Sequence, residues 1–132
     1  MYKSDFCKID YLEKYNAIYC QWKNYCEFDE YRKPLEYGLK LINERKATVW
    51  ITDTSNGFES TDEDTSWLID EFIPKTINST CDTIVFIIKN NSPLKDEINN
   101  QAKALAQYFR VIQIDNIELL NNYLEIKGNY NE

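Results

Sequence analysis

The run Ile84-Val85-Phe86-Ile87-Ile88 constrains the fold more than any other part of this sequence. It has no polar face, so a strand built from it must be covered on both sides, as parallel strands of α/β sheets are. Residues 83–88 are therefore expected to form one buried strand. Ala47-Thr48-Val49-Trp50-Ile51-Thr52 reads the same way. Two parallel strands need a crossover between them, and residues 60–72 supply a helix for it. Ser60 or Thr61 can cap that helix, and Asp62, Glu63 and Asp64 suit the positive end of its dipole. Trp67, Leu68 and Phe72 are expected to face inward. Pro74 marks the end of this helix or a kink near it.

The flanking segments follow the same logic. Cys7, Ile9 and Tyr11 alternate with polar residues, and so do Ile18, Cys20 and Trp22. A turn at Glu13–Asn16 brings both sets to one face of a hairpin with strands at 6–12 and 17–23, and makes Cys7 and Cys20 small core residues. Tyr31, Leu35, Leu39 and Ile42 form the apolar stripe of a helix over 30–45 with Asp29 as N-cap. Pro34 argues that regular helix starts nearer residue 31, after a tight turn over Glu30–Lys33. Ser92-Pro93 is a helix start, followed by Leu94, Ile98, Ala102, Leu105 and Phe109 at helical spacing. Val111–Ile114 is a short strand and Asn116–Leu124 a last short helix. The order is β-β-α-β-α-β-α-β-α, which predicts an α/β fold with a mixed, mainly parallel sheet and an N-terminal β-hairpin. Residues 1–126 are expected to form a single domain and residues 127–132 a frayed C-terminal tail.

This pattern resembles the SpoIIAA-like superfamily, the fold of anti-sigma-factor antagonists, STAS domains and SEC14-type lipid carriers, and within it the small bacterial STAS/SEC14-like proteins. The residues carrying the resemblance are Ile18-Tyr19-Cys20-Gln21-Trp22, Val49-Trp50-Ile51-Thr52-Asp53-Thr54, Trp67-Leu68-Ile69-Asp70-Glu71-Phe72-Ile73-Pro74, Ile84-Val85-Phe86-Ile87, Tyr108-Phe109 and Tyr123-Leu124. It implies a binding or regulatory domain rather than an enzyme.

Composition narrows the chemistry. The chain of 132 residues carries a net charge of −7, which argues against nucleic acid and anionic membranes as partners. It contains no histidine, so the usual zinc sites and Ser-His-Asp or Cys-His systems lack their central residue. Cys7, Cys20, Cys26 and Cys81 form no C-x-x-C pair. The first residues have no apolar core of a signal peptide, and no apolar run has the length of a membrane span, so the expected location is the cytoplasm. No cofactor or metal is expected. Ten tyrosines make a homodimer a candidate state.

The candidate site is the loop of residues 53–59 at the carboxyl end of the strand over 47–52, where open α/β sheets bind ligands. Asp53, Thr54, Ser55 and Asn56 are its polar residues. Trp50, Phe58, Trp67, Phe72 and Tyr108 are expected to line an adjoining apolar pocket for a small hydrophobic molecule; the loop equally suits a protein partner. A plain polar turn and ordinary core are the competing readings. The resemblance also implies a phospho-regulated switch at Thr54 or Ser55, since anti-sigma-factor antagonists carry a phosphorylatable serine in an Asp-Ser-Ser-Gly-like element there. In this sequence the helix cap falls later, and Asp53, Glu59 and Asp62–Asp64 would repel a phosphate. An acidic cluster over Glu59, Asp62, Glu63 and Asp64 lacks the calcium-loop pattern. A carboxylate pair, Asp53 with Glu59 or Asp70, is the hydrolase alternative.

Overall fold

A computed structural model describes residues 1–56 and 61–124. Its elements are β1 (Tyr2–Lys3), β2 (Cys7–Leu12), β3 (Ala17–Trp22), α1 (Asp29–Arg45), β4 (Val49–Asp53), α2 (Asp62–Trp67), a π-helical turn (Leu68–Phe72), α3 (Ile73–Ile77), β5 (Thr83–Ile87), α4 (Lys95–Leu105) and β6 (Arg110–Ile114). Short 3₁₀ turns span Glu13–Tyr15 and Ile117–Asn122. The expectations for Phe58, Glu59, Ser60 and the tail at 127–132 lie outside the described residues. Among the described residues no helix is long and apolar enough to cross a membrane.

The six strands stand in sequence order in one sheet. β1, β2 and β3 pair antiparallel, and β3 to β6 pair parallel. The hairpin register sets Cys7 opposite Trp22, Ile9 opposite Cys20 and Tyr11 opposite Ile18, so the two alternating sets share one face as expected. Each parallel step crosses the sheet in the same direction, and right-handed crossovers then put every α-helix on one side. One core cluster accordingly joins Ile18, Trp50, Ile84 and Phe86 to helix residues such as Leu35, Phe72 and Ile98. The other joins Val49, Ile51, Val85, Ile87 and Ile112 to Leu120 and Leu124, which follow β6. Every residue of β5 is buried, as its apolar run requires.

Several local expectations give way. Regular helix begins at Asp29, includes Pro34 and is N-capped by Phe28 rather than Asp29. The proline forgoes one hydrogen bond to the Glu30 carbonyl, and its ring is fully buried. Of the two readings of Pro74, an end of the second helix or a kink near it, the end is excluded. The helix widens first, with the Ile73 N–H reaching back five residues to the Leu68 carbonyl, and continues to Ile77. A π turn makes room for a proline that a regular α-turn would reject. Ser92 accepts the Leu94 N–H at 3.1 Å, but Pro93 stays in a turn and α4 starts at Lys95. The last helix is 3₁₀, capped by Asn116 on the Glu118 N–H.

Candidate functional site

Strand alternation decides what each residue at the end of β4 meets. Trp50 and Thr52 point toward the helices, while Ile51 and Asp53 point to the opposite face. One Asp53 carboxylate oxygen accepts the Tyr19 hydroxyl at 2.5 Å, and the other accepts the Ser55 N–H at 2.9 Å. Burial, reinforced by that carboxylate, pushes the Tyr19 phenol far up, so it remains a protonated donor. Thr54 is buried, and both its N–H and its hydroxyl donate to the Ile87 carbonyl, at 2.9 and 3.0 Å. The loop therefore leaves the sheet at Ser55, which is half-buried, and Asn56, which is exposed. Of the two candidate hydroxyls, Thr54's is committed to the sheet.

A second cluster lies where the N-termini of α1 and α2 meet. Thr61 caps α2 by accepting the Asp64 N–H at 3.1 Å. The Asp64 side chain turns inward and is wholly buried. Its carboxylate accepts the Phe28 N–H at 2.7 Å, the Thr61 hydroxyl at 2.8 Å and the Arg32 Nε at 2.8 Å. Burial alone would raise this carboxyl; the Phe28 N–H, the Thr61 hydroxyl and the Arg32 guanidinium outweigh it and hold the group below its ordinary value. The Arg32 guanidinium lies 5.5 Å from the Phe28 ring and 5.4 Å from the Trp67 ring. Phe28 has φ 50° and ψ −118°, a conformation that costs a side-chain-bearing residue energy, yet its ring is 47% exposed.

Aromatic rings run from this cluster into the core. Trp22 stacks on Tyr31 at 5.3 Å, Tyr31 meets the edge of Trp67 at 6.3 Å, Trp67 meets Phe72 at 5.9 Å, and Phe72 meets Trp50 at 5.6 Å. Trp50 is held at both ends. Its indole N–H donates to the Thr52 hydroxyl at 2.8 Å, and its ring lies against α1 at Gly38, where an added Cβ would come within 2.3 Å of it. Beside this chain, between the π turn with α3 and α4, lies a cavity of about 60 Å³. Of the candidate residues, Trp50, Phe72 and Thr54 line it.

The remaining expected residues fall elsewhere. Trp67 is half-buried in the ring chain and not on the cavity wall. Tyr108 is 60% exposed and sits just before β6, at the amino end of the parallel strands. A crossover helix runs antiparallel to its strands, so the end of α4 returns the chain to the side opposite the 53–56 loop. Asp53 and Asp70 do not face one another, because Asp53 is turned to the side opposite the helices and Asp70 lies in the π turn. Of the acidic cluster, Asp64 is committed to Arg32, and among the described residues no three side chains are grouped to hold a metal ion. The four thiols are buried, with Cys7 Sγ 3.5 Å from Cys20 Sγ. Burial pushes the Cys26 and Cys81 thiols up to about 12 and Cys20 well above its ordinary value, which disfavours thiolate chemistry. Asp64 is expected from the sequence only as one of the acids at a helix start, with the Thr61-x-x-Asp64 spacing as its capping signal, and no local pattern points to Phe28, Arg32 or Gly38.

The architecture is SpoIIAA-like. The chain aligns with a solved structure described as "Structure of the Bacillus Cell Fate Determinant SpoIIAA in the Phosphorylated Form" at a TM-score of 0.54 and 10% identity, over 88% of this chain and 97% of that one. No protein-family model and no curated protein matches the sequence. At this identity the likeness establishes the fold.

Proposed function

We propose that this chain is a non-enzymatic regulatory domain that engages a protein partner at the carboxyl end of its parallel strands, through Ser55, Asn56 and the neighbouring Phe28–Arg32 cluster. The observation that carries the reading is Phe28. A strained backbone holds an aromatic ring half out in solvent, and a buried carboxylate keeps it there. Strain of this kind persists where the surroundings over-determine it, and it clusters at functional sites. The net charge of −7 favours a protein partner over a phosphate backbone. The carboxylates proposed for hydrolysis do not converge among the described residues, which leaves a binding role as the stronger reading.

The test uses Phe28→Gly, which relieves the backbone strain and removes the ring together. A photo-crosslinker placed at position 56 should yield a discrete adduct in the cells that make the protein. Phe28→Gly should abolish the adduct while the melting temperature holds or rises. An adduct unchanged by Phe28→Gly, or shared with a crosslinker at Lys103 on α4, would sink the proposal.

A second reading has one specific observation in its favour. Ser55 is less buried than Thr54, and no intramolecular partner occupies its hydroxyl among the described residues, so it is the position where a phosphate would be added. Mass analysis of the protein from its own cells checks this directly: phosphate on Ser55 supports a switch, and phosphate on Thr54 contradicts the geometry.

A further inference from the structure

We infer that the cavity between the π turn and α4 is a binding site for a small uncharged aromatic molecule carrying few hydrogen-bonding groups. This inference is independent of the partner surface at Phe28.

Trp50, Ile84 and Phe86 form the floor of the cavity, on the helix-facing side of β4 and β5. Phe72 and Ile98 wall it from the π turn and from α4, and all five residues are buried. Leu68, Ile73, Gln101 and Leu105 also line it and are only half-buried, so the seam between the two helical segments is its mouth. The volume of about 60 Å³ is below the ~150 Å³ of an apolar cavity that takes up benzene, so a ring fits only by reaching into the half-exposed mouth. The space is too small for a lipid.

The void persists because its neighbours cannot close it. Trp50, the largest floor residue, is pinned by Thr52 and seated against Gly38. The π turn, widened ahead of Pro74, sets the opposite wall. Close-packed cores seldom leave such space beside flat aromatic surfaces, and ring faces on Trp50, Phe72 and Phe86 favour an aromatic occupant.

The polar groups define the rest of the ligand. No charged side chain lines the cavity, so an anion or cation would enter without a counter-charge. The Thr54 hydroxyl donates to the Ile87 carbonyl and the Thr76 hydroxyl to the Phe72 carbonyl, while the Thr52 oxygen takes the Trp50 N–H. The Thr52 hydroxyl keeps its own proton to donate, and the Gln101 amide stands at the mouth, so these two groups remain to meet a hydroxyl, carbonyl or ring N–H.

Indole and 4-methylphenol are the probes, with benzoate as the charged control, titrated into the full chain and followed by methyl NMR and thermal melting. Saturable shifts are expected at Ile73, Ile98 and Leu105, with a melting temperature raised by about 5 °C at a tenfold excess over Kd. Benzoate should produce neither. Ile84→Phe fills the floor and should keep the fold while losing the shifts; Leu105→Trp, which blocks the half-exposed mouth, serves if Ile84→Phe does not fold. Absence of saturable shifts with either neutral probe at millimolar concentration would overturn the assignment. So would equal binding of benzoate, or shifts that survive both variants.

Discussion

The two faces of the sheet solve the same burial problem differently. On the helix-covered face the strands present Trp22, Trp50, Thr52 and Phe86 beside smaller residues, and the aromatic rings meet helices that carry a proline, a π turn and a glycine seat. On the other face they present Val49, Ile51, Val85, Ile87, Ile112 and Ile114, closed by Leu120 and Leu124. Uniform β-branched side chains interdigitate on a pleated surface. Large flat rings of mixed orientation need individual supports, and the cavity lies on their side. The aliphatic face is closed by uniform packing, and the aromatic face retains a cavity.

Truncation should expose this difference most strongly. Ile51→Ala removes a side chain with no exposure from the aliphatic face, and the loss should be about 4 kcal/mol by chemical denaturation. Ile84→Ala, on the floor of the existing cavity, should lose only about 2 kcal/mol, because fewer neighbours touch the methyls removed. Equal losses would mean that the two faces are packed alike.

Asp64 sharpens the comparison at the rim of the aromatic face. Asp64→Asn keeps the shape but removes the charge that three donors address, and should destabilise by about 1.5–3 kcal/mol. The folded-state pKa of this group lies below its ordinary 3.8. Its contribution is therefore complete above that value and drains away as pH falls from there through the lower folded-state pKa. Denaturation midpoints measured from neutral pH down to the acid limb should show a drop below about pH 4 that Asp64→Asn flattens. The Val and Ile side chains of the aliphatic face carry no ionisable group.

The same contrast explains what the sequence revealed. Alternation and apolar runs are local, so the buried β5, the shared face of Cys7, Ile9, Cys20 and Trp22, and the alternation of strands and helices were legible, while the two-residue β1 was too short to show. The site was legible in part. Trp50, Phe72 and Thr54 lie on the cavity, and Ser55 and Asn56 are on the surface. Tyr108 lies at the opposite end of the sheet from the loop, because α4 runs antiparallel to its strands and returns the chain there. Asp64 looked like one of three equivalent acids capping a helix, and only its contact with Phe28, 36 residues away, sets it apart. Gly38 had no local signature at all, since its role depends on an indole from a strand that follows it.

Gly38 also provides the smallest and most discriminating expected effect. In an exposed helix Gly→Ala would stabilise by about 1 kcal/mol. Here the new methyl must displace the Trp50 ring, which costs about 1–3 kcal/mol. The clash outweighs the helical gain by about 0–2 kcal/mol, and a melting curve alone would not identify its source. The indole, however, must leave its seat, and with it the hydrogen bond to Thr52 and the edge contact with Phe72. Gly38→Ala should therefore change tryptophan fluorescence and the methyl resonances of Ile84 and Ile98, while those of Ile51, Val85 and Ile112 stay in place. Equal changes on both faces would show that the sheet couples them, and that the aromatic face is no separately adjustable layer.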